Sequence, residues 1–223
     1  MKIILQGYNT MNKSNLIQTK LDQSRPDSDI AVKYYSDNPI IRLLMQNFLS
    51  NFNFLLKQIN PKSILELGSG EGFLSNILAS TYSNIPIVSS DVSTLDLQSR
   101  KNNLKKYKNV TLEIIDAKKI MYRSNSFDLV VASEVLEHIS DPEKAISEIY
   151  RVSKKFALLS VPNEPTFHLL NMVRGKYLNT FGNFPEHVNH WSKNSFIHFV
   201  KSVGFKVNII KTPLPWLMVL AEK

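Results

Sequence analysis

The stretch Ser63-Ile64-Leu65-Glu66-Leu67-Gly68-Ser69-Gly70-Glu71-Gly72 constrains this chain more than any other. A short, mostly apolar run ends in three glycines at alternate positions. A helical pattern follows at once, with Phe73, Leu74, Ile77 and Leu78 as its apolar members. Glycine tolerates positive φ and lets a ligand come close to the backbone. The helix behind the turn offers unpaired N–H groups. A strand, a glycine turn and a helix in this order begin a parallel sheet covered by helices.

The rest of the chain keeps that alternation. Strands are expected at 63–67, 85–90, 110–115, 127–132 and 156–161, with helices at 72–82, 94–107 and 141–152 between them. Asp141-Pro142 starts the last of these helices with a carboxylate cap and a first-turn proline. Ahead of the first strand, Asn38-Pro39 opens an amphipathic helix through Ile40, Leu44, Phe48, Phe52 and Leu56, which Asn60-Pro61 closes. Behind the fifth strand, Ser192 caps a helix through Phe196, Phe199 and Val200. Strands at 205–210 and 216–220 are then joined by a turn around Pro213 and Pro215. That turn is too short for a parallel crossover, so this pair is expected to be antiparallel. Residues 163–191 break the alternation and read as a substrate-side insertion. The polar residues 1–36 read as a lead-in or lid before a domain spanning 37–223.

Composition narrows the chemistry. The chain has 223 residues and no cysteine, so disulfides, thiolate nucleophiles and cysteine metal sites are excluded. The opening residues hold too short an apolar run for a signal peptide, and no run nears the roughly 20 residues of a membrane span. A soluble cytoplasmic protein without stable membrane insertion is expected. The net charge is +8, and it is carried mostly by lysine, the ordinary solvated cation. The densest basic run, Arg100 to Lys108, reads as a solvated helix face, with contact to RNA or an anionic membrane as the other reading.

The turn departs from a dinucleotide fingerprint. Its spacing is G-x-G-x-G, and Glu66 and Glu71 bring carboxylates where a pyrophosphate would be repelled. They suit a ligand that carries an ammonium and a sulfonium, as S-adenosylmethionine (SAM) does. Asp91 ends the second strand, where an acid grips ribose hydroxyls in doubly wound folds, or else simply caps the next helix. Asp116 ends the third strand and either meets an adenine amino group or belongs to the loop.

These segments resemble class I SAM-dependent methyltransferases. Ile64 to Gly72 is similar to their first motif. Phe127-Asp128-Leu129-Val130-Val131-Ala132-Ser133-Glu134-Val135-Leu136-Glu137-His138-Ile139-Ser140-Asp141-Pro142 resembles the fourth-strand motif of the subgroup that contains the ubiquinone and menaquinone biosynthesis enzymes. The likeness covers residues 40–161 well and the final strands more loosely. It implies a doubly wound, Rossmann-like sheet of seven strands, mostly parallel, with an antiparallel last strand. It also implies site roles. Glu66, Gly68 and Gly70 would hold the methionine moiety, with Ser69 beside them. Asp91, next to Val92, would hold the ribose. Asp116 and Ala117 would flank the adenine, and Ser133 would lie at the methionine end.

Methyl transfer needs alignment first and a general base only for a poor nucleophile. His138, just beyond the fourth strand, and His187, on the insertion, are the candidates. For His138 the competing role is a loop tether; for His187 it is a loop organiser. His187 and His190 have the spacing of a metal pair near Glu186, but no matching pair stands elsewhere, so no metal is expected. His168 and His198 look peripheral. Tyr34 and Tyr35 either close over the cofactor or pack on the first helix. The apolar insertion, with Phe167, Tyr177, Phe181 and Phe184, reads as a cap over a hydrophobic small-molecule pocket or as a homodimer surface.

The chain thus reads as an enzyme that methylates a small, apolar or lipid-like acceptor. RNA methylation is the alternative, although the Asn/Asp-Pro-Pro-aromatic motif of base-methylating enzymes is replaced by Ala132-Ser133-Glu134-Val135. A non-catalytic SAM-binding protein and a dinucleotide-dependent dehydrogenase are the remaining alternatives.

Overall fold

A computed structural model describes residues 36–95, 97–173, 175 and 177–223. Tyr34, Tyr35 and nearly all of the proposed N-terminal lid lie outside the described residues. Helix α1 spans Pro39–Leu56. It starts where the Asn38 side chain accepts from the amides of Ile40 and Ile41, with Pro39 in the first turn. The alternation then follows as β1 (Ile64–Leu67), α2 (Phe73–Thr81), β2 (Ile87–Asp91), α3 (Leu97–Leu104), β3 (Val110–Ile114), β4 (Phe127–Ser133), α4 (Pro142–Val152) and β5 (Ser153–Pro162). The insertion carries a short helix, α5 (Thr166–Val173). The chain closes with α6 (Lys193–Ser202), β6 (Lys206–Lys211) and β7 (Trp216–Glu222).

The strands form one seven-stranded sheet in the order β3-β2-β1-β4-β5-β7-β6. β1 through β5 pair in parallel, and β7 runs antiparallel to both β5 and β6. This is the doubly wound sheet with an antiparallel last strand that the sequence predicts. The chain winds outward from β1 to β3, then returns to start again at β4 on the other side of β1. The crevice between β1 and β4 is therefore the switch point, where ligands of such sheets bind.

Period-two alternation along the strands feeds two cores. Leu65, Leu67, Val130, Ala132, Ala157 and Leu159 meet Ile146 and Ile149 of α4 and Phe196 and Val200 of α6. Ile64, Leu129, Val131, Leu158, Met218 and Leu220 face the other way, against Phe48, Phe52 and Leu55 of α1 and Leu78 of α2. Truncating one of these fully buried leucines to alanine costs about 2–5 kcal/mol.

Among the boundaries that differ from the sequence expectation, three bear on the site. β2 reaches Asp91, so that residue belongs to the strand itself. β5 begins at Ser153, directly after α4, because Asp141 and Pro142 fix the helix start and Ser153 turns extended at once. α3, at Leu97–Leu104, is shorter than the expected 94–107.

Candidate functional site

The glycine turn sits at the C-terminal end of β1 with Gly68, Gly70 and Gly72 at φ of 67°, 49° and 86°. All three lie in the left-handed region that favours glycine. Gly68 has a steric reason as well, because an added Cβ there would overlap Val135 Cγ2 of the loop after β4. Hydrogen bonds to β2 hold the turn in place. Ser69 N donates to Ser90 O over 2.9 Å, and Gly70 N donates to Asp91 Oδ2 over 2.8 Å. The other Asp91 oxygen accepts from Ser93 N at 2.8 Å. Because residues 93–95 are not helical, this is an Asx turn, and the reading of Asp91 as a helix cap is corrected.

Glu66 lies behind the turn, with 2% of its surface exposed. Ser75 Oγ of α2 donates to Glu66 Oε2, and Ser75 shares a 2.7 Å hydrogen bond with Ser89 of β2. Burial pushes the Glu66 carboxyl up to about 7, against the pull of the Ser75 hydroxyl and the Arg100 charge. Glu71 is also buried, and its carbonyl accepts from Asn103 Nδ2 at 2.8 Å.

Arg100 corrects the reading of the basic run. It is 0% exposed, and its Nη1 donates to Ser69 Oγ over 2.8 Å, beneath the glycine turn. Lys101, Lys105, Lys106 and Lys108 are exposed. Arg100 and Leu104 stand one helical turn apart, which puts both on the inward face of α3. The lysines of the run remain solvated.

The remaining cofactor candidates lie along the same sheet edge. Val92 is 67% exposed beyond β2. Asp116 follows β3 and accepts from Lys118 N at 2.9 Å, which shapes its own turn; Ala117 beside it is buried. Ser133 ends β4 and shares a 2.7 Å hydrogen bond with Ser160, which donates onward to Glu134 Oε1 at 3.1 Å.

His138 and His187 come together, although 48 residues lie between them in the sequence. Their rings meet edge to face with centroids 5.0 Å apart. The contact depends on backbone pairing: Val188 N and Asn189 N donate to Glu137 O at 2.9 and 3.1 Å. Asn189 Nδ2 donates to the carbonyls of Leu136 and Ile139. His138 Nδ1 lies 3.0 Å from Glu186 O. His187 is buried against Phe167 and Phe184, with ring centroids 5.2 and 5.0 Å away.

His187 and His190, whose spacing alone suits a metal pair, fall into two different clusters. Glu137, His138 and His187 place one ligand atom each within 4.8 Å of one another, and so do Glu164, His168 and His190. His168 is therefore not peripheral, whereas His198 is exposed, as expected. Arg100, Glu137 and Glu164 were missed as site residues. The i, i+4 spacing of Glu164 and His168 was a local signal; nothing local pointed to Glu137.

A methyltransferase-domain family model matches residues 59–196, more than half of the chain. The chain is a class I SAM-dependent methyltransferase. Its methyl donor is SAM, and the dehydrogenase and non-catalytic readings fall away. This methyltransferase is 24% identical over 164 residues to a ubiquinone biosynthesis O-methyltransferase of Pseudomonas putida, which covers 66% of this chain and 69% of that protein. It is 27% identical over 206 residues to a probable polyketide synthase of Dictyostelium discoideum, but the chain spans only 7% of that protein. Among solved structures it resembles a SAM-dependent methyltransferase from Aquifex aeolicus, with a TM-score of 0.62 and 21% identity over 76% of this chain and 88% of that one. It also resembles the magnesium protoporphyrin IX methyltransferase of Synechocystis, with a TM-score of 0.63 and 16% identity over 83% and 88%. Among the described residues no helix is long and apolar enough to cross a membrane.

Proposed function

We propose that this methyltransferase delivers its methyl group to a small-molecule acceptor with an apolar or aromatic body, and that His138 and His187 stand at the acceptor end. The observation that carries this reading is the convergence of the two histidines beneath the aromatic side chains of the insertion. The named activities of two relatives point the same way: one acts in ubiquinone biosynthesis and another on malonyl-[acyl-carrier protein].

SAM supplies a methyl group already activated by its sulfonium. The chain's task is to place an acceptor atom in line with it. In this reading Glu66, Gly68, Ser69 and Gly70 hold the methionine end, with Ser133 across the crevice. Asp91 and Val92 meet the ribose; each Asp91 oxygen takes one backbone N–H and keeps capacity for another donor. Asp116 and Ala117 flank the adenine. A His138 Nδ1–H donating to Glu186 O puts the imidazole lone pair on Nε2, the state a general base needs.

One observation favours a second reading. Glu137 joins the two histidines with ligand-distance spacing, so a divalent ion there could orient acceptor oxygens in place of a base.

The test is transfer of label from methyl-labelled SAM into fractionated metabolites and RNA. Label in a small apolar metabolite is expected, with His138→Gln lowering kcat by about 10²–10⁴-fold. Label confined to RNA sinks the small-molecule reading. Loss of turnover on chelation, restored by added Mg²⁺ or Zn²⁺, selects the metal-assisted reading.

A further inference from the structure

The geometry points to a zinc-class metal site built from Glu164, His168 and His190, separate from the residues proposed for methyl transfer. Glu164 Oε1 lies 3.2 Å from His168 Nε2 and 3.8 Å from His190 Nδ1. Ligand bonds of about 2.0–2.1 Å in a tetrahedral zinc site put neighbouring donor atoms about 3.3 Å apart. The observed separations match that edge to within about half an ångström.

Alignment favours a shared cation over a simple ion pair. Glu164 Oε1 and His168 Nε2 are both buried, yet despite their closeness neither makes a hydrogen bond to a described residue. Buried polar atoms without a hydrogen bond are costly and rare. Two such atoms side by side, with a second imidazole nitrogen facing them, have the arrangement of ligands around one ion.

The fold prepares the site without an ion. Glu164 stands just ahead of α5 and His168 in its first turn, where Glu164 Oε2 accepts from His168 N at 3.3 Å. His190 arrives on a separate segment, held by the bridge between Asn163 and Trp191 and by Glu164 N donating to Trp191 O at 2.9 Å. Gly182 packs against the His168 carbonyl so closely that an added Cβ would overlap it. Two imidazoles and one carboxylate select zinc-like ions over Mg²⁺ or Ca²⁺, which prefer oxygen ligands. Three protein ligands leave a fourth position for water. A bound ion would tie α5 to the return segment of the insertion and so fix the wall that carries His187.

The test uses the full chain, stripped with a chelator and titrated with Zn²⁺ against a chromophoric competitor. SAH (S-adenosylhomocysteine) affinity is measured on every variant, so donor-site integrity is read independently of zinc. One equivalent of Zn²⁺ should bind, and the Co²⁺ form should show the strong visible absorption of a tetrahedral site. His190→Gln and Glu164→Gln should each weaken binding at least about 100-fold, more than loss of an outer-shell partner costs, with SAH affinity kept. Unchanged Zn²⁺ affinity in His190→Gln overturns the assignment. So does loss of the equivalent in His138→Gln alone, which would put the ion in the other cluster. No binding by the wild-type chain reduces Glu164 and His168 to an ion pair only. These outcomes do not depend on the acceptor proposed above.

Discussion

The Gly70 amide donates to the Asp91 carboxylate over 2.8 Å, so the acid that ends β2 sets the shape of the turn that ends β1. One residue is thus both a proposed ribose contact and the strut of the glycine turn. Asp91→Ala removes an acceptor for two backbone amides. Hydrogen bonds to charged groups are worth about 1.5–3 kcal/mol, so SAH affinity by calorimetry should fall about 10–100-fold. Asp91→Asn, which keeps one acceptor oxygen, should fall less. Equal affinity in Asp91→Ala and wild type would show that the turn holds its shape unaided.

The buried Glu66 carboxyl, proposed for the methionine end, is expected to make cofactor binding depend on pH. Its carboxyl is raised from 4.5 to about 7, chiefly by burial. In the free protein its contribution to stability is therefore complete below about 4.5 and is lost as pH rises through about 7. A cationic ligand reverses the preference, because the ionised carboxylate attracts it. Affinity for SAM should rise as pH climbs through that window, while the thermal midpoint of the free protein falls. Glu66→Gln should flatten both profiles. A wild-type affinity that is flat from about pH 6 to about pH 8 contradicts the assignment.

Gly68 and Val135 form a testable steric pair. Alanine at a φ of 67° costs about 1–2 kcal/mol from backbone conformation alone. The overlap with Val135 adds to this. Gly68→Ala should destabilise the protein and weaken SAH binding. Adding Val135→Ala should recover the steric part and leave the backbone part. A double-mutant cycle in urea measures the coupling; additive effects would mean the loop after β4 gives way at no cost.

The basic run should divide by facing. Arg100→Ala empties a buried guanidinium position under Ser69, and urea unfolding should show a loss of about 3 kcal/mol or more. Lys101→Ala and Lys105→Ala, on the exposed face, should stay within about 0.5 kcal/mol of wild type. A mild Arg100→Ala would place the packing of α3 elsewhere.

The sheet and the glycine turn are legible in the sequence because their determinants are local. Alternating apolar residues, Asn38-Pro39 and Asp141-Pro142 caps, and glycines at 68, 70 and 72 each act within a few residues. Arg100 is hidden in a run of like charges, and only its helical facing, inward with Leu104, sets it apart from the lysines. His138 and His187 were each singled out, but their meeting depends on amides 188 and 189 reaching the Glu137 carbonyl. Likewise Glu164 and His168 are near neighbours in sequence, while His190 joins them through the Asn163–Trp191 bridge and the Glu164 N to Trp191 O hydrogen bond. Such long-range pairings are tertiary facts with no period in the sequence.

β7, the last strand to be made, lies between β5 and β6. During synthesis β5 therefore emerges with a bare hydrogen-bonding edge, and β6 has no strand to join. Until β7 arrives, that edge is open to strands from other chains, as any unprotected sheet edge is. Crowded ribosomes making this protein would be expected to yield intermolecular strand pairing when elongation stalls between the codons for β6 and β7. The closing of the sheet is then decided only once β7 has been made, well after β1 and β2.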